Sequence, residues 1–204
     1  TGLAVVTLSE DGENTIVVVP GANASEAFND ADVETIATAT HLMVQLERPV
    51  TLVRDAMVAA RRHGVATVLT PAPVERAREL LELTDLLIAN EDEARSLAGV
   101  DDAEAAAASL SRGGAQVVVT LGSRGALAAA DGTITRVVPG ARVDAVDTTA
   151  AGDTFAGVLV AALARGDEPA RALRVANAAA ALTVTRAGAI AAMPSRGELR
   201  DLSR

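Results

Sequence analysis

Short apolar runs alternate with longer helix-forming stretches through the middle of the chain, and this alternation limits the possible folds more than any other feature. The apolar runs 42–46, 65–69, 86–89 and 116–121 each have the length of a buried strand. Stretches with helical periodicity separate each of these runs from the next. Strands and helices that alternate at this spacing predict a parallel sheet covered by helices. Ligands bind such sheets beyond the carboxyl ends of the strands, so we expect functional residues just after strands.

Two β-hairpins are predicted beside this alternating region. The β-rich runs 3–8 and 15–19 are joined by the polar stretch 9–14. The runs 126–130 and 133–138 flank an Asp-Gly turn, which is typical of a hairpin at a sheet edge. Two long helices, 152–165 and 169–185, and a short terminal helix follow. The predicted fold class is therefore α/β.

The composition excludes several kinds of function. The formal net charge of -9 disfavours nucleic-acid and acidic-membrane partners, which bind basic patches. Lysine and cysteine are both absent, which excludes a Walker lysine, a Schiff-base lysine, disulfides and thiolate metal sites. Neither a membrane span nor a signal peptide is indicated, and we expect a cytoplasmic protein.

The segment 147–157, Asp-Thr-Thr-Ala-Ala-Gly-Asp-Thr-Phe-Ala-Gly, is the place where we expect chemistry. Small residues let backbone N–H groups surround a ligand, and the following helix adds its positive N-terminal end. A phosphate fits such a place, and Asp153 fits the role of general base. The alternative interpretation is structural: Asp153 favours the helix dipole and Gly152 permits a tight entry to the helix.

Three other segments follow predicted strands. Glu47 comes after the run 42–46, and the alternative for it is an ordinary solvated carboxylate. Asn90 and Glu93 have the spacing of a capping box, although the same carboxylate suits the water shell of Mg²⁺. The Gly-Ser-Arg-Gly segment 122–125 suits a ligand-binding loop or an ordinary turn.

These segments together resemble the ribokinase-like (PfkB) carbohydrate kinases, in register from Thr1 to about Pro194. The segment 147–157 is similar to the C-terminal signature of that family, 90–93 to its Asn-x-x-Glu motif, and 120–125 to its nucleotide loop. The resemblance implies a three-layer α/β/α sandwich with a mostly parallel, Rossmann-like sheet. It also implies that residues 1–20 form part of a β-lid and that 21–204 form the nucleotide-binding core.

The resemblance further implies ATP-dependent phosphorylation of a sugar hydroxyl, with ribose as the first expected acceptor. Asp153 would remove the proton of the hydroxyl, and the amides of Ala151, Gly152 and Asp153 would stabilise the transferred phosphoryl group. Glu47 matches a position that contacts the sugar. The residues expected to contact ATP are Asn90, Thr120, Leu121, Gly122, Ser123, Arg124, Gly125 and Asn177.

Two metal ions and a dimer are also implied by the resemblance. Glu93 would act on Mg²⁺ through water, and K⁺ is expected in a loop beside the anion hole. Without the family, Asp147 would be read as a turn residue. A homodimer formed through the lid is a further expectation. The residues that match the monovalent-cation loop are Asp147, Thr149, Thr183, Arg186, Gly188 and Ala192.

Family members begin well before the position that matches Thr1, and that earlier part carries most of the groups that grip the sugar. We therefore expect the chain by itself to bind ATP and to phosphorylate ribose weakly or not at all. Deoxyribose, a nucleoside or another small sugar stays open as the acceptor. One alternative is a noncatalytic nucleotide-binding or assembly module. Another, a dinucleotide-dependent oxidoreductase, lacks the Gly-x-Gly-x-x-Gly motif.

Overall fold

A six-stranded sheet lies at the centre of the chain in this computed structural model, which describes residues 1–8 and 14–202. The strand order follows the chain, and the first four strands are parallel. The last two strands pair antiparallel at one edge. The strands are β3 (His41–Val44), β4 (Ala66–Leu69), β5 (Leu86–Asn90), β6 (Gln116–Thr120), β7 (Gly125–Ala130) and β8 (Thr133–Pro139).

Helices cover both faces of this sheet. One face packs against α2 (Val50–Arg62), α3 (Glu91–Ala98) and α4 (Ala103–Ser111). The other face packs against α5 (Ala151–Ala164) and α6 (Pro169–Thr183). The predicted three-layer α/β/α sandwich with a mostly parallel sheet is therefore confirmed.

The two layers of core arise from strand alternation, because successive side chains of a strand point to opposite faces. Leu87 and Ala89 of β5 lie in the core under α2, α3 and α4. Leu86 and Ile88 of the same strand lie in the core under α5 and α6. A central parallel strand is buried on both faces, which is why its sequence reads as one continuous apolar run.

Two further helices lie outside this sandwich. α1 (Asp30–Ala37) packs against α2 through a small cluster that includes Ile36 and Ala60. α7 (Arg196–Leu202) contacts α6 and contains no buried residue. Across the described residues, no helix is long and apolar enough to cross a membrane.

The N-terminal strands form a separate two-stranded antiparallel sheet. β1 (Leu3–Leu8) pairs with β2 (Asn14–Val19), with Leu3 opposite Val19. Val18 is 65% exposed and Val19 is 53% exposed, so side chains on both faces of the ribbon are open to solvent. The predicted turn lies in 9–14, most of which falls outside the described residues. The role of this hairpin as a lid stays a prediction.

The largest difference from the predicted elements lies at Val74–Leu83, where the structure has a ten-residue 3₁₀ helix. A 3₁₀ helix has three residues per turn, which suits a buried face formed by Ala77 and Leu80. Its carbonyl groups are reached by side chains of α2. The guanidinium of Arg54 donates to the carbonyl of Glu79 at 2.9 Å, and that of Arg61 donates to the carbonyl of Glu82 at 2.9 Å.

Candidate active site

The carboxyl ends of the neighbouring strands β5 and β6 lie side by side, next to a cleft of about 580 Å³. Asn90 and Thr120, the last residues of these two strands, are directly opposite each other. Four parts of the chain surround the cleft: the segment after β6, the segment after β8, the start of α5 and the end of α6. The predicted site residues that line the cleft are Thr120, Gly122, Ser123, Gly125, Ala151, Gly152 and Asn177.

The loop after β6 is a tight turn that depends on two glycines. Gly122 has φ 57° and Gly125 has φ 102°, in the region where residues with a Cβ atom are disfavoured. A Cβ atom on Gly125 would also lie 2.0 Å from the carbonyl oxygen of Val138. The amide of Leu121 donates to the carbonyl of Gly125 at 2.7 Å and closes the turn. Backbone groups rather than large side chains therefore face the cleft.

Arg124 is not among the residues that line this cleft. Its guanidinium forms an ion pair with Glu91 at the start of α3, and its side chain is 62% exposed. The pair links the loop after β6 to the helix after β5. The predicted contact between Arg124 and ATP stays a prediction.

A second loop, 140–145, forms the opposite wall, and the sequence analysis missed it. Gly140 packs directly on the first loop, since its amide donates to the carbonyl of Arg124 at 3.0 Å. A Cβ atom on Gly140 would lie 1.9 Å from the carbonyl oxygen of Ser123. Asn177 of α6 holds this wall through its Nδ2, which donates to the carbonyl of Pro139 at 3.0 Å. The Pro139-Gly140 pair at the end of β8 is the sequence feature that could have indicated a turn here.

Asn90 and Glu93 form the capping box that their spacing predicts. The Asn90 amide donates to Oε2 of Glu93 at 2.9 Å, and the Glu93 amide donates to Oδ1 of Asn90 at 2.8 Å. This structural role leaves Oε1 of Glu93 without a hydrogen bond from the described residues. Within residues 1–8 and 14–202, no three His, Asp or Glu side chains cluster as a ready-made metal site. A metal ion here would have to keep most of its ligands as water or substrate oxygens.

The start of α5 presents unpaired backbone donors. Ala150, the N-cap residue, has φ 61° and ψ 11° and makes no side-chain cap. The amide of Ala151 donates to the carbonyl of Thr148 at 3.3 Å. Among the described residues, no acceptor pairs with the amides of Gly152 and Asp153. These two donors and the positive end of the helix favour an anion at this point.

The conformation of Ala150 is strained, because the left-handed region costs a residue with a Cβ atom roughly 1–2 kcal/mol. Strain of this kind persists only where the surrounding structure fixes it. Here the residues before Ala150 are tied to the loop after α6, and the amide of Thr154 donates to the Ala150 carbonyl at 2.9 Å. The carboxylate of Asp153 is exposed and has no hydrogen-bond partner among the described residues, so it is open to a substrate.

Asp147 joins the start of α5 to the loop after α6. Its Oδ1 accepts from the amide of Thr149 at 2.9 Å, and its Oδ2 accepts from the amide of Gly188 at 2.9 Å. Hydrogen bonding from the Thr149 side chain, and then from the amides of Gly188 and Thr149, lowers the pKa of Asp147 to about 2. The carboxylate is therefore charged at neutral pH.

Among the other residues predicted for the cation loop, Thr183 contacts α5 and Arg186 contacts Thr183. Thr183 is fully buried, and its hydroxyl donates to the carbonyl of Ala179 at 3.0 Å and lies 3.1 Å from the hydroxyl of Thr154. The amide of Arg186 donates to the carbonyl of Thr183 at 3.0 Å. Ala192 is fully buried in a short 3₁₀ turn.

Glu47 lies apart from the cleft. It follows β3, which is three strand positions from β6 and therefore about 14 Å away across the sheet. The Glu47 side chain is exposed, and its amide donates to Oε1 of Gln45. α5 contacts β3, so Glu47 and Asp153 belong to elements that touch each other.

Phe155 connects the cleft to the core. Its ring is 2% exposed, lies among Leu159, Ile88 and Val118, and also lines the cleft. The sequence analysis did not single out this residue, because an aromatic side chain in an apolar helix predicts only burial.

Comparison with known proteins gives consistent matches across the chain. Residues 1–196 match the family described as pfkB family carbohydrate kinase. The ribokinase of Haemophilus influenzae is 39% identical over 207 residues, which span 97% of this chain and 67% of that protein.

Two solved structures resemble the fold closely. The crystal structure of ribokinase from Thermotoga maritima has a TM-score of 0.89 and 33% identity, and the match covers 99% of this chain and 69% of that chain. The structure of Arabidopsis thaliana ribokinase complexed with ribose and ATP has a TM-score of 0.86 and 34% identity, and the match covers all of this chain and 69% of that chain. This chain belongs to the pfkB family of carbohydrate kinases.

Proposed function

We propose that this chain carries the catalytic residues that transfer the γ-phosphoryl group of ATP to a hydroxyl of a sugar, with ribose as the acceptor, and that its turnover by itself is weak. The observation that carries the proposal is the single cleft that joins the glycine loop after β6 to the uncapped start of α5. The similarity to ribokinases, one of them solved with ribose and ATP, supports the choice of both substrates.

The cleft suits ATP because its two walls are mostly backbone and small side chains. The loop with Gly122, Ser123 and Gly125 forms one wall, and the loop that begins at Gly140 forms the other. Glycines let the backbone approach a phosphate chain or a flat base without steric hindrance. In this proposal, the nucleotide lies between the walls and its phosphates point towards α5. The contacts assigned to Asn90, Leu121 and Asn177 are part of the same proposal.

Phosphoryl transfer requires alignment and charge stabilisation more than covalent chemistry. The amides of Gly152 and Asp153 have no acceptor among the described residues, and Ala151 precedes them on the same turn. These donors would bind the oxygens of the transferred group, where charge develops in the transition state. The strained conformation of Ala150 aims the amides before the substrate arrives, which avoids reorganisation during the reaction.

Asp153 is the proposed general base. Its carboxylate is exposed and has no competing hydrogen bond from the described residues. It would accept the proton of the attacking hydroxyl as the oxygen–phosphorus bond forms. The proposal places Glu47 at a hydroxyl of the sugar, on the side of the site nearer to β3.

Two ions fit the residues present. The free Oε1 of Glu93 would accept a hydrogen bond from water in the shell of Mg²⁺, an ion that keeps several waters. Asp147, with carbonyl oxygens of Thr183, Arg186, Gly188 and Ala192, supplies the all-oxygen ligand set that suits K⁺, and Thr149 orients the carboxylate. When bound, Mg²⁺ neutralises the charge of the phosphates.

A kinase assay with matched variants tests the proposal. Asp153→Asn removes the base, so we expect ribose-dependent ADP release to fall by about 10²–10⁴-fold while ATP binding persists. Asp55→Asn is the control, because Asp55 is an exposed carboxylate on α2, outside the cleft. Normal turnover by Asp153→Asn would refute the assignment of the base. ATP binding without ribose-dependent turnover in the unmodified chain would favour a nucleotide-binding module instead.

A further inference from the structure

The short helix α7 is tied to the loop after α6 by one glutamate. Oε2 of Glu198 accepts from both the amide and the hydroxyl of Ser195 at 2.8 Å. Oε1 of the same side chain accepts from the guanidinium of Arg186. The two carboxylate oxygens therefore have different partners. One binds Ser195, directly before α7, and the other binds Arg186 in the loop after α6.

The same loop is tied to the start of α5 at its other end. Gly188, two residues after Arg186, donates its amide to Oδ2 of Asp147 at 2.9 Å. The carbonyl of Val184 accepts from the amides of Val146 at 2.7 Å and Asp147 at 3.2 Å. A continuous series of hydrogen bonds thus runs from α7, through the loop 184–188, to the residues that precede the unpaired amides of α5.

The contribution of this pair to overall stability should be small. The side chains of Arg186 and Glu198 are 34% and 39% exposed, and ion pairs with such exposure contribute about 0–1 kcal/mol. α7 contains no buried residue, so little apolar surface depends on it. A function in positioning accounts better for a carboxylate that is held at both oxygens.

The positive charge of Arg186 also bears on cation binding. Arg186 carries its guanidinium in the same loop whose carbonyl oxygens and Asp147 form the proposed cation site. An unpaired guanidinium there would repel a monovalent cation, because like charges close to each other raise the free energy of binding. Glu198 neutralises that charge through the guanidinium of Arg186, without a hydrogen bond to the backbone of the loop.

We propose that Glu198 is a positioning residue of the phosphoryl-transfer site, which acts through Arg186 on the loop 184–188 and on Asp147. It touches neither ATP nor the sugar. Its task is to fix the loop whose Gly188 amide orients the Asp147 carboxylate. The effect of Glu198 on phosphoryl transfer rests on the proposed function. The hydrogen bonds that connect Glu198 to Asp147 are present in the chain without any ligand.

Amide hydrogen exchange by NMR in the ligand-free chain tests the link directly. Glu198→Gln keeps the shape of the side chain but removes the charge that holds Arg186. We expect exchange at the amides of Thr149 and Gly188 to accelerate by about two- to thirtyfold, the range typical of residues that couple distant sites. Glu79→Gln is the matched control, because Glu79 forms a comparable exposed ion pair with Arg76 on the 3₁₀ helix.

Arg186→Gln breaks the same pair from the other side and should reproduce the effect of Glu198→Gln. In Glu198→Gln, which leaves the guanidinium of Arg186 unpaired, we also expect the thermal stabilisation by KCl, measured against tetramethylammonium chloride, to be smaller than in the unmodified chain. The proposal is overturned if the Thr149 and Gly188 amides exchange at unchanged rates in both variants. It is also overturned if all core amides accelerate equally, because that result means a general loss of stability.

Failure of the proposed function and failure of the Glu198 link give different results. If the unmodified chain binds no ATP, the proposed function fails, yet the exchange experiment still reports on the link between Glu198 and Asp147. If ATP binds and Asp153→Asn behaves as expected while exchange is unchanged, only the positioning role of Glu198 is wrong.

Discussion

Gly140→Ala tests the close contact between the two walls of the cleft. The added Cβ atom would lie 1.9 Å from the carbonyl oxygen of Ser123, whereas real Cβ atoms essentially never approach closer than 3.0 Å. One loop must therefore move by at least the difference, 1.1 Å. Overpacking of this kind costs about 1–3 kcal/mol of unfolding free energy. At roughly 3 °C per kcal/mol for a chain of this size, we expect Tm to fall by about 3–9 °C.

The same displacement should weaken nucleotide binding. The loss of one hydrogen bond of about 1.4 kcal/mol between loop and phosphate corresponds to about a tenfold rise in Kd for ATP. Isothermal titration calorimetry measures this value, and thermal unfolding by circular dichroism measures Tm.

Gly157→Ala is the matched control for Gly140→Ala. Gly157 lies in α5, and a Cβ atom there meets nothing within 4 Å. The same added methyl should stabilise the chain by about 0.5–1 kcal/mol, because glycine is unfavourable inside a helix. If Gly140→Ala keeps the Tm and the ATP affinity of the unmodified chain, the contact between the two loops is not as described. If both variants lose stability equally, the effect is not due to this contact.

Three further predictions concern the start of α5 and its neighbours. In Gly152→Ala the added Cβ atom meets nothing within 4 Å, so we expect no loss of Tm but weaker ATP binding by calorimetry, because the methyl enters the cleft; an unchanged affinity would contradict the proposed phosphate position. The folded-state pKa of Asp147 is about 2, below its ordinary 3.8, so its contribution to stability is complete above pH 3.8 and is lost as the pH falls through about 2. Urea unfolding over this range should therefore show a shallower loss in Asp147→Asn, and identical pH profiles would refute the account. Thr183→Val removes a fully buried hydroxyl that pairs with the carbonyl of Ala179, and we expect a loss of about 1–2 kcal/mol in urea unfolding at neutral pH, which a value near zero would contradict.

The layered fold was predictable because its signals are local. Leu86 to Ala89 forms one continuous apolar run, which indicates a strand buried on both faces, and the structure places its side chains alternately in the two cores. The Asp131-Gly132 pair predicts the hairpin of β7 and β8 by the same local logic. A helix at 75–83 is predicted by periodicity and lies within the observed Val74–Leu83, but its 3₁₀ form is not predictable, since two of its carbonyls are paired by arginines from another helix.

The site was predictable only in part. Gly122 and Gly125 predict a turn, which the structure has, whereas the anion site inferred from the small residues before α5 stays a prediction. The wall formed by 140–145 could not be placed, because the Pro139-Gly140 pair predicts only a turn after β8, and the position of that turn depends on a contact between Gly140 and Ser123. The partnership of Asp147 with Gly188 also escapes local reasoning, since 41 residues separate the two.

Phe155 links ligand binding in the cleft to the stability of the fold. Because its ring belongs both to the core and to the cleft wall, a ligand in the cleft covers part of the packing that holds α5 to the sheet. Any ligand that binds only the folded state raises stability, by about 2.7 kcal/mol at a hundred times its Kd. A thermal-shift screen of nucleotides and sugars should therefore identify what this chain binds, whether or not it turns over a single molecule of substrate.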